Sequence, residues 1–218
     1  MRTIDIAGFE NKFRVNIDPW NYTHSRFEWV KRQMLLRACG PSKYGRVLEL
    51  GCAIGETTRD LARLSLLLVA VDASPTALSE AARRAPRDRR IRFHRAILPG
   101  QMPRGPFDLI VVSELIYYLR PHYLKPLADR IFAALAPGGM TVVLNHRRPF
   151  DDAAIPPALA HSRLRRRLAS RMNVLKDASH RHFDILVLKR RSLTQYTTYH
   201  VPSEKNDKAG KLAEASRG

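Results

Sequence analysis

A short apolar strand that runs into a glycine turn and then a helix constrains this chain more than any other feature. Val47-Leu48-Glu49-Leu50 leads into Gly51-Cys52-Ala53-Ile54-Gly55, and Glu56 opens a helical stretch. In open α/β sheets this strand-to-helix turn is where nucleotide-like ligands bind. Gly51 lets the backbone pass close to a ligand, and Gly55 eases the turn into the helix. The spacing is Glu-x-Gly-x-x-x-Gly, not Gly-x-Gly-x-x-Gly. A carboxylate at position 49 repels a pyrophosphate and suits a cationic amino group. Glu49, Gly51, Cys52, Ala53 and Gly55 are therefore ligand-binding candidates.

The same alternation continues along the chain. Residues 66–71 form an apolar run ending at Asp72, and Pro75 opens a helix reaching Arg84. Residues 91–94, 107–112 and 140–144 read as further strands, with a helix over 124–135 and a turn at Pro137-Gly138-Gly139. These strands are continuous apolar runs, which predicts a parallel sheet covered on both faces, a doubly wound α/β fold. Upstream, Ser25 caps a helix over 27–39 that Gly40-Pro41 stops, and Asp18-Pro19-Trp20-Asn21-Tyr22 forms an aromatic turn. Beyond Asp151, residues 159–172 read as a basic helix, and 174–176 and 183–188 as an antiparallel pair. The organisation expected is an N-terminal helical cap over 1–45, the sheet domain over 46–191 and an extension over 192–218. The extension is polar and expected to be disordered from about 202.

The strand ends select the remaining candidates. Asp72 lies about 20 residues beyond Gly51, where an acid accepts hydrogen bonds from ribose hydroxyls; a helix N-cap is its alternative role. Ala73 and Ser74 follow it. The 107–112 strand delivers Ser113 and Glu114 to the same carboxyl-end rim. Glu114 is a candidate base or amine ligand. Tyr117 or Tyr118 can form a pocket wall, with core packing as the alternative. His146 follows the fifth strand at that rim, where a structural role competes with contact to a substrate.

Composition narrows the partners. The 218 residues hold 38 Lys or Arg against 20 Asp or Glu, a net charge of +18. Such a balance favours nucleic acid or acidic partners. Two clusters stand out: Arg83, Arg84, Arg87, Arg89 and Arg90, then Arg163, Arg165, Arg166, Arg167 and Arg171. No aromatic residue interleaves with either, so solvated surface is the simpler expectation. Cys39 and Cys52 are the two cysteines, expected as free thiols. His161, His180 and His182 lack metal-ligand spacing, and no metal is expected. No apolar run approaches the ~20 residues of a membrane span. Residues 1–13 lack the apolar core of a signal peptide, so a cytoplasmic location is expected.

Residues 49–55, Asp72, residues 107–119 and Leu135-Ala136-Pro137-Gly138-Gly139 resemble class I methyltransferases dependent on S-adenosyl-L-methionine (SAM). Asp18-Pro19-Trp20, Phe27-Glu28, Gly51-Cys52-Ala53 and Tyr117-Tyr118-Leu119 add a closer resemblance to the nodulation protein S family, over roughly 15–145. The resemblance implies a seven-stranded sheet with an antiparallel last strand, SAM as cofactor, and N-methylation of a free amine on a deacetylated chitooligosaccharide. It also implies that Trp20, Tyr22 and Lys31 close a lid over the cofactor; an N-terminal helix packed on the sheet, with Lys31 solvated, is the alternative. Relatives often place an acid after the third strand to meet the adenine amino group. Here the segment is Arg95-Ala96-Ile97-Leu98, so Ala96 and Ile97 are expected to offer backbone groups and apolar walls. The catalytic candidates are Glu114, Tyr118 and His146, and the partner expected is an amino sugar or oligosaccharide. Methylation of another small metabolite or of RNA is the alternative. A non-catalytic SAM-binding partner subunit is a third possibility.

Overall fold

The computed structural model describes residues 4–85 and 88–192. Arg87 and the polar extension from 193, with its expected disorder, lie outside the described residues. Two helices come first, α1 (Ile6–Val15) and α2 (Arg26–Cys39). Then follow β1 (Tyr44–Leu50), α3 (Glu56–Leu61), β2 (Ser65–Asp72), α4 (Pro75–Arg84), β3 (Ile91–Arg95) and β4 (Phe107–Ser113). The chain continues with α5 (Leu124–Ala134), β5 (Leu135–His146), α6 (Pro157–Ala169), β6 (Met172–Ser179) and β7 (Phe183–Arg190).

The seven strands form one sheet in the order β3-β2-β1-β4-β5-β7-β6. The first five pair in parallel, while β7 runs antiparallel to both neighbours. This is the doubly wound sheet that the apolar runs predict. Side-chain alternation divides the core in two. Leu48, Leu50, Ile110 and Val112 face α5 and α6, whereas Val47, Leu109, Val111 and Val142 face Leu35 of α2 and Leu61 of α3. Glu49 falls between Val47 and Gly51 on the second face, so its carboxylate is driven inward with the apolar set. The strand order reverses at β1 and β4, and a crevice opens beyond their carboxyl ends, the usual ligand site of such sheets.

Several boundaries differ from the sequence reading. The fifth strand starts at Leu135, not Met140; the chain passes through Gly138 at φ +76° and shifts register against β4 between Phe107 and Leu109. Pairing of Leu135 with Phe107 recruits the expected turn into the sheet. The basic helix ends at Ala169, because Met172 pairs with Arg190 and starts β6. That edge strand is exposed along most of its length and carries Lys176 and Asp177, charges that discourage edge-to-edge pairing. Helix α1 is a further addition, capped by Asp5, whose Oδ1 accepts from Gly8 N at 2.7 Å. Among the described residues no helix is long and apolar enough to cross a membrane.

Candidate active site

The glycine turn is folded back on the end of β2. Gly51 N and Cys52 N both donate to Val71 O, at 2.8 and 3.0 Å. Gly51 sits at φ +75° and Gly55 at φ +82°, a region that side chains disfavour. A Cβ at Gly55 would also lie 3.0 Å from the Ala81 methyl, so α3 and α4 approach closely there. Ala53 adopts φ +46° and donates its N–H to Asp72 Oδ2 at 2.9 Å, while Ser74 N donates to Oδ1 at 2.9 Å. Asp72 thus clamps the turn that the first strand feeds. Burial pushes its carboxyl above the ordinary range, against the pull of those two amides. Each oxygen keeps a lone pair for further hydrogen bonds.

A cavity of about 520 Å³ opens at this rim, within the usual size of small-molecule sites. Trp20, Tyr22, Gly51, Ala53, Asp72 and Ala73 line one side, and Ala96, Ile97, Ser113, Glu114 and Tyr118 another. A smaller hollow continues from it past Lys31, Glu49, Cys52 and Glu114. Eleven of the predicted residues therefore meet in the main cavity, and Lys31, Glu49 and Cys52 join through the hollow. Gly55, Ser74 and His146 line neither. Gly55 serves the helix approach described above. Ser74 caps α4, accepting from Ala77 N at 3.0 Å and donating to Glu10 at 2.7 Å. His146 packs 5.9 Å from the Phe150 ring. Burial, then the charge of Lys31, lowers its pKa and keeps the imidazole neutral near pH 7.

Glu49 is 3% exposed and accepts from Thr58 Oγ1 at 2.6 Å. Burial raises its pKa to about 8. A ligand cation in the hollow would restore the ionised form.

Glu114 carries the other buried charge. It stands just past β4 at φ +54°, a strained conformation for a residue with a side chain. Its Oε2 accepts from Lys31 Nζ and from Tyr117 OH, each at 3.0 Å. Its Oε1 is buried with no hydrogen-bond partner. Lys31 is 5% exposed and also donates to Glu28 Oε1 at 2.9 Å. Burial works to lower the Lys31 pKa, but Glu114 and Glu28 outweigh it and raise the value. Burial raises the pKa of Glu28. With all three ionised, two carboxylates share one ammonium and leave one negative charge. Lys31 is therefore fixed to the cleft floor, not solvated.

Helix α1 supplies residues that the sequence reading missed. Phe9 and Phe13 line the main cavity, with Phe9 edge-on to Tyr118 at 4.8 Å and Phe13 against Trp20 at 5.5 Å. Glu10 latches this helix onto the start of α4, accepting from Ser74 and Thr76 side chains. Its pKa falls to about 2: burial opposes the shift, but hydrogen bonds from Thr76, Ser74 and Arg14 prevail. Asp5 as cap with Ile6, Phe9 and Phe13 at helical spacing is the signal that was available. Near the expected adenine wall, Ala96 N donates to Asp72 O and Ile97 N to Gln101 Oε1, so both amides are taken. The two arginine clusters are in part neutralised locally: Arg83 and Arg84 bind Glu80, Arg90 binds Asp88, Arg165 binds Asp177, and Arg167 and Arg171 bind Asp129.

Residues 9–147 match the family model for nodulation protein S (NodS). A Nodulation protein S from Rhizobium tropici is 32% identical over 144 residues, covering 65% of this chain and 60% of that protein. The chain thus spans less than two thirds of that relative's length. A crystal structure of N-methyltransferase NodS from Bradyrhizobium japonicum, in complex with S-adenosyl-L-homocysteine, superposes with a TM-score of 0.73 at 23% identity, covering 85% of this chain and 98% of that one. A putative methyltransferase from Pseudomonas syringae is 35% identical at a TM-score of 0.65, covering 76% of this chain and all of that one. With the sheet order and the clamped glycine turn, these matches establish that the chain belongs to the nodulation protein S family.

Proposed function

We propose that this protein is a SAM-dependent methyltransferase acting on the amine of a small molecule, an amino sugar or short chitooligosaccharide. The observation that carries the reading is the partnerless Glu114 Oε1, buried beside the cleft in a cluster of net negative charge. An unpaired buried carboxylate oxygen is costly, and an N–H or ammonium of a ligand would satisfy it.

The residues present fit SAM. Asp72 has free lone pairs for ribose hydroxyls, and Glu49 is buried where an ammonium would stabilise its charge. Ala73, Ala96 and Ile97 give an apolar wall to a purine. When bound, SAM supplies an electrophilic methyl group already activated by its sulfonium. The chain must hold the acceptor nitrogen in line and exclude water. Phe9, Trp20, Tyr22 and Tyr118 close the wall on the solvent side. Glu114 orients the amine and accepts its proton at Oε1, directly or through water. Lys31 and Tyr117 hold Oε2, so that the free oxygen is the one presented. His146 stands further out at the same rim.

The test is methyl transfer from radiolabelled SAM to fully acetylated and partly deacetylated chitooligosaccharides side by side. Transfer should require the free amine, and mass spectrometry should find an N-methyl product. Transfer to RNA or to a phenolic metabolite, with none to any amino sugar, would overturn the acceptor class.

A further inference from the structure

The end of β5 and the turn between β6 and β7 carry an arrangement that amine methylation leaves unused. His146 pairs with Phe183 in the antiparallel ladder, and Arg147 N donates to His182 O at 3.0 Å. Continuing this register sets Arg148 opposite Arg181. Like charges facing each other across paired strands are destabilising. Neighbouring Arg147 is neutralised, with Nε 3.6 Å from Asp184 Oδ1, and its guanidinium also holds His180 O at 3.0 Å. Among the described residues neither Arg148 nor Arg181 has an ion-pair partner, and both are exposed. Desolvation, then the charges of Arg148 and Arg181, hold the His182 imidazole below its ordinary pKa.

This pair is tied to the cleft on two sides. The His182 ring meets Phe27 edge-on at 5.6 Å, and Phe27 lies 5.2 Å beneath Lys31 Nζ, which binds Glu114. Two residues beyond Arg148, Phe150 packs 5.7 Å from the cleft-wall Tyr118. A molecule with its amine on Glu114 would therefore extend toward Arg148 and Arg181.

We propose that Arg148 and Arg181, with His182 beside them, form an oxyanion subsite for a phosphate-like group carried by the acceptor. Two guanidiniums and an imidazole present only donors once the imidazole is protonated, and arginine matches phosphate oxygens in paired hydrogen bonds. The acceptor would then be zwitterionic, with its amine on the acidic floor and its anion on the basic rim. A positive rim also explains how a chain of net charge +18 attracts a substrate that carries an amine. The inference rests on the amine reading for one end of the molecule only.

The test uses the full chain and two probes. Inorganic phosphate is titrated at constant ionic strength while the His182 imidazole is followed by NMR, in the wild type and in the double variant Arg148→Ala, Arg181→Ala. A saturable shift with a raised His182 pKa, lost in the double variant, is expected. No saturable response, or the same response in both proteins, overturns the subsite. The second arm compares glucosamine with glucosamine carrying phosphate at C1 or C6, by competition for methyl transfer. At least one phosphorylated form should bind about tenfold more tightly, and the double variant should lose that advantage. Equal affinity for both sugars sinks the link to the acceptor. If phosphate binds as expected but no amino sugar competes, the subsite stands and the amino-sugar reading fails.

Discussion

Lys31 Nζ and Glu114 Oε2 lie 3.0 Å apart, joining the second helix to the end of the fourth strand across the cleft floor. Glu28 shares the same ammonium at 2.9 Å. Both carboxylates depend on one cation that is itself buried. Replacing Lys31 with Met should therefore strand two buried acids and destabilise the fold by about 3 kcal/mol or more. Adding Glu114→Gln to that variant should recover part of the loss. Urea unfolding of the two single variants and the double variant measures the coupling, and simple additivity would mean that the pair is not energetically linked.

Asp72 has two duties in this structure, and its variants should show both. Asp72→Ala is expected to weaken SAM binding by about 1.5–3 kcal/mol, the range for charged hydrogen bonds. It should also cost stability, because Ala53 N and Ser74 N lose their acceptor. Calorimetric titration and thermal melting report the two effects separately. Full affinity in a folded variant would place the ribose elsewhere.

Glu49 makes the ligand-free protein sensitive to pH. Its folded pKa of about 8 stands above the ordinary carboxyl range, so the folded state retains a proton that the unfolded state has released. Stability from this group is present below about pH 4.5 and is lost as the pH rises through 8. Glu49→Gln should flatten that part of the stability profile. SAM binding through its ammonium should tighten as pH rises toward 8 and should release a proton, visible as a buffer-dependent heat. Binding heats independent of buffer at pH 7 would contradict the ionised partner.

Gly55→Ala combines an unfavourable φ with a methyl 3.0 Å from the Ala81 side chain. A loss of about 1–3 kcal/mol is expected. Pairing it with Ala81→Gly relieves the contact but not the backbone strain, so rescue should be incomplete. Full rescue in denaturant melts would show that strain at this position is negligible.

The sheet was legible because its strands are buried on both faces and read as unbroken apolar runs. The glycine turn and Asp72 were legible because strand ends place them. Lys31 was not: a lysine on an amphipathic helix reads as solvated, and only the sheet brings Glu114 beneath it. The short helix of Phe9 and Phe13 has no long apolar stripe, and its role depends on the distant partners Ser74, Thr76 and Tyr118. Likewise, the turn at Gly138 reads as a break until its pairing partner on β4 is known. Contacts between residues far apart in the chain supplied what local pattern could not.

The most direct measurement is steady-state methyl transfer to a partly deacetylated chitooligosaccharide by the wild type and by Glu114→Gln, with SAM affinity measured in parallel. If the free oxygen of Glu114 receives the acceptor amine, kcat should fall by about 100-fold or more while SAM binding changes by less than about threefold. The pH profile should lose its acidic limb in the variant. Unchanged turnover, or a loss of SAM affinity matching the loss of rate, would contradict that role and assign Glu114 to the fold or to the cofactor.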